Sequence, residues 1–168
     1  MKLQDLLSEQ VIRVPLHHTE KEKIIEELID LIHQSGKIKD RDLALAKVLE
    51  RERVMSTGMG EGVAIPHAKT EAVEELAAAF GITRQGVDFA AMDDKPVRLI
   101  FLLVGPMDPT GPHLQALSRI SRLMHRSEFR DRLVISRLMH RSEFRDRLVG
   151  CPSAAAVLEA IALEENDL

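Results

Sequence analysis

At 168 residues, 45% hydrophobic and 30% charged, the chain can bury one sizeable core and is short for a second full domain, so one globular domain over residues 1–168 is expected. Lys and Arg are scattered among acids at a net charge of −4, which argues against a nucleic-acid stripe and suits a basic protein partner. No stretch of eighteen apolar residues and no secretion signal occurs, so no membrane insertion and a cytoplasmic location are expected; the single Cys151 excludes an internal disulfide and a cysteine-based zinc site.

Thr19 with Glu22 forms a capping-box pattern, and Ile24, Ile25, Leu28, Ile29 and Ile32 follow at helical spacing until Gly36. Asp40 is placed to cap a second helix through Leu43, Leu45, Val48 and Leu49, ending near Arg51 and Arg53. Gly58, Gly60 and Gly62 punctuate a turn, after which residues 63–65 read as a short strand stopped by Pro66, with His67 just past its end. Residues 76–83 and 87–89 read as two further apolar runs, and 97–104 as a strand buried on both faces. A Pro- and Gly-rich loop over 105–112 leads to a helix starting at His113, and Ser153 is a candidate cap for a last helix over 154–163. Helices alternating with short strands predict a layered α/β fold.

Residues 120–134, ISRLMHRSEFRDRLV, recur letter for letter at 135–149. Architectural repeats are longer and diverge, so this is a tandem duplication in which one copy is surplus to the fold. Each copy holds four Arg against one Glu and one Asp, so a single-copy chain would carry a charge of −6 rather than −4. Fifteen residues make about 4.2 helical turns, so inserting them into one continuous helix would rotate everything downstream by about 60°. Ser127 and Ser142 can each cap a new segment, which predicts an extra helix from Glu128 to about Arg141. Its apolar side, Phe129, Leu133, Leu138 and Met139, needs cover, so it is expected to pack on a neighbouring copy of the chain or exchange with it, giving a homo-oligomer.

The chemistry centres on residues 51–67. The three glycines let backbone amides approach an anion, but no Lys-Ser or Lys-Thr follows, which makes a poor nucleotide loop. Pro66 restricts the backbone before His67, and a neutral imidazole nitrogen is a good nucleophile toward phosphorus whose phosphoramidate gives the group away again. Arg51 offers a permanently charged fork for phosphate oxygens. His113, at a predicted helix N-terminus, sits where the dipole favours phosphate and disfavours imidazolium. Thr57 and Ser56 are read as turn-capping residues, with a hydroxyl bond to phosphate as the lesser role. Met59 and Ile65 are candidates for apolar docking surface. No third ligand accompanies His67 and His113 at zinc spacing, and no cofactor is expected.

The run TGMGEGVAIPHAK, with ERE upstream and FAAMDDKPVRLIFLLVGP and HLQAL downstream, resembles the type-2 enzyme IIA family of fructose and mannitol phosphotransferase systems, most of all its nitrogen-regulatory branch. The resemblance implies a three-layer α/β sandwich, a mixed sheet flanked by helices. It makes His67 the phosphorylated histidine, with His113 as second active-site histidine and Arg51 beside the phosphate, in a shallow cleft at a sheet edge. An HPr-type phosphocarrier is the implied donor and a IIB component the implied recipient in sugar transport; a rival expectation of another class is a non-catalytic binding module that regulates a kinase or ion transporter through its unphosphorylated surface.

Overall fold

The computed structural model describes residues 2–108, 111–124 and 135–166, the last with the backbone alone for 135–141. In chain order the elements are α1 (Leu3–Leu6), a 3-10 turn (Glu9–Val11), β1 (Ile12–Arg13), α2 (Lys21–Gln34), α3 (Arg41–Val54), β2 (Gly58–Gly60), β3 (Val63–Ala64), β4 (His67–Lys69), β5 (Ala77–Val87), β6 (Val97–Gly105), α4 (Pro112–Met124), α5 (Ile135–Val149) and α6 (Ala154–Asn166). The sheet is mixed, in the order β1-β5-β6-β3-β2, with β4 also paired to β6. The β5–β6 and β2–β3 pairs are antiparallel, whereas β1 runs parallel to β5, and both β3 and β4 parallel to β6. Helices flank this sheet, as the alternation of periods predicted.

The central strand β6 follows from its composition: all of it except Arg98 is buried, because helices cover both faces of the sheet. The run read at 76–83 forms most of one longer strand, β5, which pairs with β6 over most of its length and takes in only Val87 of the run read at 87–89, leaving Asp88 and Phe89 beyond its end. Exposed Arg84, Gln85 and Gly86 and a register shift between Ile82 and Val87 interrupt the apolar pattern without ending the strand. The glycine segment also differs from expectation. Gly58 already belongs to β2, and the turn is confined to Gly60, Glu61 and Gly62, all at positive φ.

The apolar stripe of α2 (Ile24, Ile25, Leu28, Ile29, Ile32) is fully buried, but the helix starts at Lys21 without a Thr19 cap. A tertiary anchor holds that end instead: Lys21 Nζ pairs with the buried Glu52 carboxylate at 2.7 Å and donates to the Phe89 carbonyl at 3.2 Å. Asp40 caps α3 as read, accepting from the Leu43 amide at 3.0 Å, and Ser153 caps α6 through the Ala156 amide at 3.2 Å.

The described parts of the duplicated letters fall in two helices. Ile120, Leu123 and Met124 of the first copy are buried in the last turns of α4, and the second copy forms α5 throughout. Phe144 and Leu148 of the second copy, four apart on one helix face, are fully buried. Arg145 donates to the Met124 carbonyl and pairs with Glu61 at 3.0 Å. Of the extra helix read at 128–141, residues 135–141 lie within α5 and residues 128–134 lie outside the described residues; Ser142 falls inside α5 rather than at the start of a helix, where it would have free amides to cap. Phe129 and Leu133, with Ser127, lie outside the described residues, as do the side chains of Leu138 and Met139. Cys151 is a buried thiol whose pKa is pushed up by burial, as an inert core cysteine requires.

Candidate functional site

β3 and β4 form one lane beside β6. Val63 lies opposite Leu99 and Ala64 opposite Ile100, and the same offset resumes with His67 opposite Leu103 and Lys69 opposite Gly105. Pro66 has no amide hydrogen to give the ladder, so the lane breaks there without slipping. His67 is thus the first residue of a new strand rather than a residue beyond the last one.

The break has a chemical consequence. It leaves the Ile65 carbonyl 2.7 Å from His67 Nδ1. A carbonyl only accepts, so Nδ1 carries the proton and Nε2 carries the lone pair. The half-buried ring has its pKa lowered, first by burial and then by the Arg51 charge, against the opposing pull of the Ile65 bond and Glu52. At pH 7 His67 is neutral with a nucleophilic Nε2.

His113 follows Pro112 in the first turn of α4, which begins with the Gln115 amide bonded to the Gly111 carbonyl at 2.9 Å. Its ring centroid lies 5.6 Å from that of His67, with the planes tilted by 55°. Burial, followed by the charges of His67 and Lys69, pushes the His113 pKa down to about 4. Arg51 stands in the last turn of α3, donating Nη1 to the Met55 carbonyl at 2.9 Å. All three residues predicted from the sequence line one cleft of about 500 Å³. The cleft lies where β4, the end of α3 and the start of α4 meet.

Sequence reading missed Lys47 and Lys69, which line the same cleft, and Glu52 behind it. Lys69 was detectable in principle, because it stands two residues beyond His67 on one strand and so shares its face; Lys47 stands one helical turn before Arg51. Glu52 gave no signal, since a Glu within a charged run reads as solvated. It is buried and accepts both the amide and the hydroxyl of Thr57. Thr57 and Ser56 serve the fold: Ser56 Oγ donates to the Phe89 carbonyl and accepts from the Gly58 amide. Of the docking candidates, Ile65 is buried and Met59 is exposed, while Val54, Met55, Met107 and Leu114 add exposed apolar surface that was not anticipated.

Comparison with known proteins agrees with this architecture. The crystal structure of the nitrogen regulatory protein IIA-Ntr from Neisseria meningitidis superposes with a TM-score of 0.78 at 29% identity, covering 95% of this chain and 98% of that one. Residues 5–163 match the family model "Phosphoenolpyruvate-dependent sugar phosphotransferase system, EIIA 2". The chain belongs to that family. It is 46% identical over 114 residues to a fructose-specific EIIA component of Haloferax volcanii, covering 68% of this chain and 74% of the relative. It is 40% identical over 134 residues to a fructose-specific EIIABC component of Bacillus subtilis, covering 80% of this chain but only 21% of that much longer relative. Relatives named nitrogen regulatory protein share 32–33% identity. No helix among the described residues is long and apolar enough to cross a membrane.

Proposed function

We propose that this chain is a phosphohistidine carrier, accepting a phosphoryl group on Nε2 of His67 from an HPr-type phosphocarrier and regulating other proteins through its phosphorylation state. The observation that carries this reading is the neutral His67 ring, held through Nδ1 with Nε2 unprotonated, in one cleft with His113 and Arg51. The Nε2 lone pair attacks phosphorus as the donor's P–N bond breaks in line, and the donor imidazole keeps the electron pair. The proton stays on Nδ1, donated to the Ile65 carbonyl throughout. Arg51 and His113 then offset the charge on the phosphoryl oxygens. In this reading the chain works in the cytoplasm.

A second reading, a fructose-type transport subunit passing the group to a IIB component, is favoured by one observation: the identity to fructose-specific relatives, 46% and 40%, exceeds that to nitrogen regulatory ones. Incubation with phosphoenolpyruvate, enzyme I and a phosphocarrier should add one phosphoryl mass to the chain and none to His67→Ala. Normal labelling of His67→Ala would overturn the site. Efficient onward transfer to a fructose-type IIB protein would decide for transport over regulation.

A further inference from the structure

His113 poses a problem that the carrier reading leaves open. Its Nδ1 is the buried side-chain nitrogen or oxygen among the described residues that has no hydrogen-bond partner. A neutral imidazole has one proton, and its position decides which nitrogen can donate to a phosphoryl group. The answer lies at Gly105, the last residue of β6.

A Cβ built on Gly105 would lie 2.7 Å from His113 Nδ1, 3.4 Å from Cγ and 3.5 Å from Cβ, so its three nearest neighbours all belong to that one side chain. The first distance is closer than real Cβ contacts come. The position is otherwise an ordinary strand residue, paired with Lys69 and accepting from the Thr70 amide at 2.9 Å, and its φ lies outside the left-handed region. The fold therefore does not need glycine here for its backbone. The space over the α-carbon is filled by the imidazole.

The same contact fixes the proton. A hydrogen on Nδ1 would point at the hydrogen-bearing α-carbon of Gly105 with nothing to accept it, and buried N–H groups without acceptors are rarer and costlier than unpaired acceptors. A bare Nδ1 lone pair facing a Cα–H is the tolerable arrangement, a weak contact of the kind seen between packed strands. With Nδ1 bare, the proton of the neutral ring resides on Nε2. Unlike Nδ1, that atom is not a buried group left without a partner.

We infer that Gly105 is a positioning residue for phosphoryl transfer: its missing side chain seats the His113 ring and holds it in the tautomer whose Nε2–H donates to the phosphoryl group on His67. This rests on the carrier reading for its functional half; the tautomer itself does not. The two histidines become complementary, His67 protonated on Nδ1 with Nε2 attacking, and His113 bare on Nδ1 with Nε2 donating.

The tautomer is read on the unphosphorylated ¹⁵N-labelled protein at neutral pH from long-range proton–nitrogen couplings of the His113 ring. Nε2–H is expected, and Nδ1–H would overturn the proposal. In transfer assays Gly105→Ala should slow phosphorylation about ten- to a hundredfold through displacement of the ring. The same alanine should have no further effect in a His113→Ala background, where the ring it strikes is gone. A further slowing there would mean that Gly105 matters for strand structure and would overturn the positioning role. Should Gly105→Ala not fold, the side-chain pair remains: His113→Gln, whose amide reaches the Nε2 position, should keep transfer within about tenfold, while His113→Asn, which mimics Nδ1, should lose about a hundredfold. Equal losses in the two would also overturn it. Failure of the wild-type chain to accept phosphate would instead count against the carrier reading, and the tautomer measurement distinguishes the two failures.

Discussion

Around His67 the groups that matter sit on one lane of the sheet and the two helix ends that meet it, whereas the duplicated segment anchors two separate helices, α4 through letters of its first copy and α5 through letters of its second. The residues ISRLM end α4 in the first copy, with Ile120, Leu123 and Met124 buried, and begin α5 in the second. The buried anchors of α5, Phe144 and Leu148, come from the second copy's far half. Among the described side chains, the first copy's near half anchors α4 and the second copy's far half anchors α5. The cleft depends on register and the repeat on docking.

That contrast can be attacked from the repeat side first. Phe144→Ala should cost about 3–5 kcal/mol in urea unfolding, as a fully buried aromatic does, while the folded fraction transfers phosphate at the wild-type rate. A loss of activity per folded molecule would mean that the two regions are coupled. From the cleft side, the depressed His113 pKa makes stability depend on pH. The unfolded chain binds a proton near pH 6.5 that the folded chain refuses until about pH 4, so stability should fall as pH drops through that window, by up to about 3 kcal/mol. His113→Gln should flatten that part of the curve; an unchanged slope would locate the proton elsewhere.

Smaller effects sharpen the comparison. Asp40→Ala should cost about 1 kcal/mol of stability through loss of the α3 cap and leave His67 reactive, since Arg51 lies at the other end of the helix. The least effect is expected from the most drastic change. Removing any fifteen consecutive residues that begin anywhere from Ile120 to Ile135 yields one and the same chain, which keeps the letters of both sets of buried anchors. Arg145 and the Met124 carbonyl it binds stand twenty-one positions apart, and the deletion would leave six, enough for a turn between two helices. Transfer should stay within about twofold of the full chain. A collapse in transfer or in unfolding midpoint would show that both copies are needed.

Legibility in the sequence followed the range of the interaction. The Asp40 cap, the doubly buried β6 and the stripe of α2 are set by neighbours along the chain and were readable residue by residue. The start of α2 was misread because Lys21 is held by Glu52 and Phe89, distant in sequence, rather than by Thr19. For the same reason Thr57 looked like a turn residue with a hydroxyl to spare, when a buried carboxylate occupies it. His67, His113 and Arg51 were singled out by residue type and by family resemblance, and the fold brings them together. That Nδ1 of His67 is held by its own neighbour's carbonyl, and that Gly105 abuts His113, required the β4–β6 register.

That register also sets the scale of the candidate site. Leu103 stands opposite His67 and Gly105 underlies His113, so the spacing of the two imidazoles is ruled off by two residues of a single central strand, about 7 Å of rise. A distance set by the stiffest element of a domain does not wait for a partner to create it. On the carrier reading proposed above, a phosphocarrier would meet two imidazoles already spaced by the sheet, and the rate of relay would depend on how quickly the two surfaces find each other.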